Sequence, residues 1–111
     1  MPKTRASQLQ STLDLLILKT VAARGPLHGY AIVNHIQQLS EDELRIEEGS
    51  LYPALHRMEG EGWISSEWTT SATNRRVKLY RLTKSGAGQL EREEESWSRM
   101  ARAVGRVLRL A

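Results

Sequence analysis

Gly49-Ser50-Leu51-Tyr52-Pro53-Ala54-Leu55-His56-Arg57-Met58-Glu59-Gly60-Glu61-Gly62, followed at once by Trp63-Ile64, reads as one short helix with two faces. Leu51, Leu55 and Met58 fall at i, i+4 and i+7, an apolar stripe at the helical period. Ser50, Tyr52, Pro53, His56 and Arg57 fall mostly on the other side and offer hydroxyls, an imidazole and a guanidinium. Pro53 is tolerated in the first turn, where its missing N–H would be unpaired anyway, and Gly62 suits the C-terminal stop. A small helix with an apolar back and a hydrogen-bonding front is what a major-groove reader needs. An ordinary surface helix shows the same pattern, so the surroundings have to decide.

A chain of 111 residues is the size of one domain. It has no Cys, hence neither a disulfide framework nor a thiolate metal site. Its longest strongly apolar run, Leu15-Leu16-Ile17-Leu18, is far too short to cross a bilayer, and the N-terminus lacks an apolar signal core. The expectation is a reducing cytoplasm and no membrane partner. Net charge is only +3, but its placement is uneven. Residues 26–48 carry Glu41, Asp42, Glu43, Glu47 and Glu48 against Arg45 alone. Residues 71–85 carry Arg75, Arg76, Lys78, Arg81 and Lys84 with no acid. Such a local basic cluster marks one surface for a polyanion, or else a hairpin kept soluble by its charges.

Residues 1–11 read as a flexible polar arm. Residues 12–24 read as a helix capped by Ser11 or Thr12, with Asp14 in the first turn. Leu13, Leu16, Ile17, Thr20 and Val21 form one stripe, and Leu15, Leu18 and Ala22 a second. A helix apolar on two sides needs cover on both, which implies a second subunit. Arg24-Gly25-Pro26 ends it. Residues 28–39 form the next helix, with Tyr30, Ile32, Ile36 and Leu39 as inner positions. Gly29 near its start permits close approach of a packed helix or a phosphate. In the acidic connection 40–48, the alternation Leu44-Arg45-Ile46 suggests a very short strand.

Residues 63–69 alternate as a strand, with Ile64, Ser66 and Trp68 on one face. Residues 76–82 return, with Lys78, Tyr80 and Leu82 on one face and Val77, Leu79 and Arg81 on the other. Between them, Asn74 is best able to take a left-handed turn conformation. Thr83 caps a helix from about residue 84 to 110, roughly 40 Å long. Leu90, Trp97, Val104 and Ala111 recur every seven residues, with Met100, Ala101, Val107 and Leu108 between them, a heptad-like seam. Glu91, Glu93, Glu94 and Glu95 come early and Arg99, Arg102, Arg106 and Arg109 late. That order suits the helix dipole and would match an antiparallel partner. The fold class is mainly α with a small β-hairpin: a winged helix-turn-helix over residues 12–83 and a long C-terminal dimerisation helix over 84–111.

At this point the chain resembles the PadR family of bacterial transcriptional regulators. The likeness is carried, in order, by His28-Gly29-Tyr30, by Gly49 through Met58, by Gly62-Trp63-Ile64 and by Tyr80-Arg81-Leu82-Thr83-Lys84-Ser85-Gly86, and covers residues 12–108. It implies a homodimeric repressor of the short, single-helix branch, acting on double-stranded DNA at a pseudo-palindromic operator in the bacterial cytoplasm and nucleoid. By likeness, Ser50, Tyr52, Pro53, His56 and Arg57 take recognition-helix positions, with Tyr52 at a phosphate and Asn74, Arg75 and Arg76 at the wing tip. Lys78 joins them from the basic strand. Arg57 and His56 are the natural base-edge donors. The family's C-terminal helix dimerises and packs on the partner's first helix, which assigns Leu13, Leu16, Leu90, Trp97, Ala101, Val104 and Leu108 to the interface. Some relatives hold flat aromatic ligands between Trp rings across the dimer. Trp97, with Met100 beside it, would border such a small aromatic effector, or Trp97 simply fills the interface.

No cofactor and no metal are expected. An enzyme is the weakest alternative, since there is no phosphate-cradling Gly loop and Ser, His and Asp are scattered without an elbow motif. A protein-interaction module built on the long helix is the runner-up. A metal-sensing winged helix using His28, His35 or His56 comes third.

Overall fold

Six elements follow one another in the computed structural model, which describes the backbone of residues 5–109 and the side chains of residues 12–109. They are α1 (Arg5–Arg24), α2 (Gly29–Leu39), α3 (Glu48–Gly60), β1 (Ile64–Thr70), β2 (Arg76–Leu82) and α4 (Lys84–Arg109). The Ser11 hydroxyl and the seam position Ala111 lie outside the described residues.

α1 begins earlier than expected. Residues 5–11 are helical rather than an irregular arm, and they hold no Gly or Pro that would prevent it. Asp14 therefore lies near the middle of α1, not in its first turn, and is buried. Gly25 closes the helix, its N–H donating to the Val21 carbonyl at 2.8 Å, and the Gly25–Pro26 peptide is cis. His28 caps α2, its Nδ1 accepting from the Ala31 N–H at 3.3 Å. α3 is capped at Glu47, which puts Pro53 past the first turn. The Gly49 carbonyl receives no bond from Pro53, a loss that the exposed surface there tolerates.

The hairpin has the expected faces. Ile64 lies opposite Leu82, Ser66 opposite Tyr80 and Trp68 opposite Lys78, and Asn74 turns the chain at φ +60°. The strand expected at Leu44–Ile46 is absent. The free edge of β2 is bridged instead by Leu27, which exchanges two backbone hydrogen bonds with Tyr80 at 3.0 and 2.8 Å. Ile46 instead packs its side chain against the core.

That core gathers Ile17, Leu18 and Val21 of α1, Ile32 and Ile36 of α2, Leu51, Ala54, Leu55 and Met58 of α3, Ile64 and Tyr80 of the hairpin, and Leu90 of α4. Two expected inner positions are not inside: Tyr30 is 65% and Leu39 73% exposed. Tyr30 lies about 200° around the helix from Ile32. Leu39 is on the stripe, but in the last turn, where it borders an open groove with Leu16, Thr20, Ala23 and Leu44.

α4 is anchored at its root. The Thr83 hydroxyl donates to the Gly62 and Trp63 carbonyls at 2.6 and 3.0 Å and accepts from the Gly86 N–H at 2.9 Å. The helix then runs along α1 as far as Glu94, which meets Lys19 at 3.3 Å. Leu90 belongs to this packed half. It is buried in the chain's own core and so, contrary to the seam reading, is not left for a partner. Beyond it Trp97, Met100, Ala101, Val104, Val107 and Leu108 are all exposed. The distal half of α4 projects, and the molecule measures 57 Å in its longest direction.

Candidate nucleic-acid interface

The buried stripe of α3 leaves Ser50, Tyr52, Pro53 and His56 on its exposed side. Beside them, a cleft of about 560 Å³ opens between α3, the start of α2 and the tip of the hairpin. It is lined by His28, Gly29 and Tyr30, by Tyr52, and by Trp68, Arg75, Arg76 and Lys78 of the hairpin. Four of the residues singled out in the sequence, Tyr52, Arg75, Arg76 and Lys78, therefore meet around one space. Asn74 sits at the hairpin tip, where its N–H donates to the Ser71 carbonyl at 2.9 Å.

Gly29 is explained by Tyr52. A Cβ on Gly29 would lie 3.1 Å from the Tyr52 hydroxyl oxygen, so the ring rests on the first residue of α2. The close approach foreseen at Gly29 is thus made by this aromatic ring of α3. It brings a phenolic hydroxyl to the positive end of the α2 dipole, beside two arginines, an arrangement suited to an anion. The cations are themselves held in place. Arg76 lies 5.1 Å from the Trp68 ring centroid, and Lys78 lies 5.7 Å from it and 5.9 Å from that of Tyr80. Lys78 also meets Glu59 of α3 at 3.7 Å, and the Ser66 hydroxyl donates to the same carboxylate. Glu59 thereby fixes the hairpin's position relative to α3. Burial raises the Tyr80 pKa, and the charges of Glu59 and Tyr52 raise it further.

Arg57 has a different place from the one expected. Its two terminal nitrogens donate to both Asp14 carboxylate oxygens of α1, at 2.8 and 2.6 Å. These bonds raise its pKa above the ordinary arginine value, against the cost of partial burial. That pairing turns the guanidinium toward α1. Ser50, Tyr52 and His56 are polar side chains that remain exposed on the front of α3. Sequence reasoning missed His28, Tyr30 and Trp68 as cleft walls. The signal for Trp68 was available, since the strand alternation sets it on one face with Ser66 and, across the register, Lys78.

The three histidines serve separate places: His28 in the cleft, His35 in the α1–α2 groove and His56 on the exposed side of α3. Among the described residues, no group of three His, Asp or Glu side chains is placed to hold a metal ion. No described helix is long and apolar enough to cross a membrane.

Comparison with known proteins converges on one family. A model of the Transcriptional regulator PadR-like family matches residues 17–92. The transcriptional regulator Rv3488 of Mycobacterium tuberculosis is 34% identical over 83 residues, 75% of this chain and 74% of that protein. The crystal structure of a PadR family transcriptional regulator from Eggerthella lenta superposes with a TM-score of 0.73 at 33% identity, covering 91% of this chain and 86% of that one. A PadR-like regulator from Bacillus cereus gives 0.76 at 28% identity, over 91% and 95% of the two chains.

Proposed function

The chain belongs to the PadR-like family of transcriptional regulators, and from that premise we propose that it is a homodimeric repressor gripping a pseudo-palindromic DNA operator. The observation that carries the reading is the cleft in which Tyr52, the α2 N-terminus and the basic wing face one space. A phosphate run between α3 and the wing would meet the Tyr52 hydroxyl, Arg75, Arg76 and, beyond its pairing with Glu59, Lys78. Asn74 would touch the backbone at the wing tip. Ser50 and His56 then read base edges, with Pro53 in van der Waals contact. Arg57 is left out of that set because of its bond to Asp14. The work of such a protein is on the bacterial nucleoid.

Dimerisation falls to the projecting half of α4. Trp97, Ala101, Val104 and Leu108 form an exposed seam that water alone would cover poorly, and half-buried Leu13 and Leu16 on α1 extend the apolar surface available to a partner. A small aromatic effector would bind where two Trp97 rings approach, with Met100 at its edge. It would release DNA by preferring a dimer geometry with misplaced recognition helices. The same seam favours a second reading, an interaction module whose long helix takes a different partner. Selection of bound sequences from a random duplex pool at near-physiological salt separates the two. An inverted repeat with half-sites about one helical turn apart supports the symmetric dimer. Salt-sensitive binding without any motif would sink the operator reading and leave the interaction module.

A further inference from the structure

We propose that the Asp14–Arg57 ion pair is a positioning clamp that fixes the angle of α3 to α1 and thereby the half-site spacing the dimer accepts. The inference rests on the reading of the chain as a DNA-binding dimer. Both ends of the pair are engaged fork to fork, at 2.8 and 2.6 Å. Such a contact fixes orientation as well as distance, because the guanidinium and carboxylate planes must align. The Asp14 side chain is only 8% exposed, so water competes weakly for its carboxylate, while the Arg57 side chain reaches it from a position 34% exposed. Ile17 and Leu18 of α1 and Leu55 and Met58 of α3 share the core, whose apolar attraction is non-directional, whereas this pair adds a directional bond between the two helices.

The place of the pair in the fold gives it reach. Asp14 lies midway along α1, and the same helix shares the core with Leu90 of α4 through Ile17, Leu18 and Val21, with an exposed Lys19–Glu94 pair beyond it. α1 is therefore ion-paired to the proposed reading helix and packed on the root of the helix that carries the proposed dimer seam. A change at the subunit interface that moves α1 moves α3 with it. In this role Arg57 and Asp14 are positioning residues that act through Ser50, Tyr52 and His56.

Electrostatics make the test sharp. Removing the Asp14 charge would by itself favour a polyanion, whereas loss of a clamp weakens operator binding. The wild-type protein first selects its operator. Affinities are then measured for that operator, for versions with the half-sites one base pair nearer or farther, and for random duplex, over a salt series. For Asp14→Asn we expect operator affinity to fall about tenfold, the scale of one mismatched base pair. Its discrimination against altered spacings should shrink, while random-duplex affinity should not fall and, with one acidic charge fewer, should stay level or rise slightly. Asp14→Asn/Arg57→Gln leaves no buried charge unpaired and should show the same loss if the single variant is too unstable to assay. A folded variant that keeps the spacing preference, or binds the operator as tightly as the wild type, overturns the clamp. So does Arg57→Gln erasing the preference at one base pair while Asp14→Asn does not, which would make Arg57 a base reader. A double variant that does not fold would reduce the pair to a folding element and overturn it too. If the wild type selects no inverted repeat, the dimeric DNA reading fails and the clamp falls with it.

Discussion

Of the glycines, Gly86 leaves least room for a methyl, and Gly86→Ala should be clearly destabilising. Gly86 sits in the first turn of α4, and a Cβ there would lie 1.9 Å from the Trp63 carbonyl oxygen, 2.8 Å from its carbon and 2.9 Å from a Leu82 methyl. An ordinary carbon–oxygen contact is about 3.3 Å. The helix root must therefore retreat by more than about 1 Å from a backbone atom that cannot rotate away. The same oxygen accepts from the Thr83 N–H at 3.1 Å and the Thr83 hydroxyl at 3.0 Å, so the retreat also strains the cap. Overpacking of this kind costs about 1–3 kcal/mol, and a weakened hydrogen bond about 1 kcal/mol more. Better helix propensity returns at most about 1 kcal/mol. The net expectation is a loss of about 2 kcal/mol. Urea denaturation followed by Trp fluorescence, at fixed protomer concentration, should show the midpoint falling by about 1 M. Gly88→Ala, two residues along the same helix, is the control. Its Cβ would lie 3.6 Å from an Arg92 nitrogen, an ordinary contact, so it should gain about 0.5–1 kcal/mol. If Gly86→Ala proves as stable as the wild type, the close packing of α4 on the α3–β1 turn is wrong.

Three further outcomes are expected. Arg75→Ala/Arg76→Ala should weaken binding to operator and random duplex alike and flatten the salt dependence by about one unit per lost phosphate contact. A loss confined to the operator, with the slope unchanged, would contradict the phosphate assignment. Gly29→Ala should leave stability within about 0.5 kcal/mol, because the Tyr52 ring is half exposed and can shift. Displacing the Tyr52 hydroxyl should nevertheless cost several-fold in DNA affinity by fluorescence anisotropy, and unchanged affinity would remove Tyr52 from the contact set. The raised Tyr80 pKa means that the folded chain holds this proton more tightly than the unfolded one. Its contribution to stability is complete below about pH 10 and is lost as pH rises above that toward the folded value. Unfolding midpoints between pH 9 and 11 should fall less steeply for Tyr80→Phe than for the wild type, and parallel curves would refute it.

Periodicity and turn chemistry carried the sequence reading, and these are local. The stripe Leu51, Leu55, Met58 is buried, the strands alternate as expected, Asn74 takes the left-handed conformation and Thr83 caps α4. Each is decided within a few residues by backbone geometry. The start of α1 is ambiguous in the sequence for a local reason as well, since polar residues without a breaker are compatible with arm or helix alike. The cleft was half legible. Its basic wing and Tyr52 could be named in advance, but His28, Tyr30 and Trp68 join it only because α2 and the hairpin tip converge there.

What the sequence by itself determined is the class and order of the elements, the two-faced α3, the basic hairpin and the family. Which partner each side chain takes was decided by tertiary structure alone. Arg57 and Asp14 stand 43 residues apart, and no pattern in either helix pairs them. Leu90 and Trp97 hold the same position in successive heptads, yet one is 8% and the other 52% exposed. The repeat reports only which side of α4 is apolar. Where burial gives way to exposure along that side, between Leu90 and Trp97, depends on which elements α4 packs against, and that packing exists only once the chain has folded.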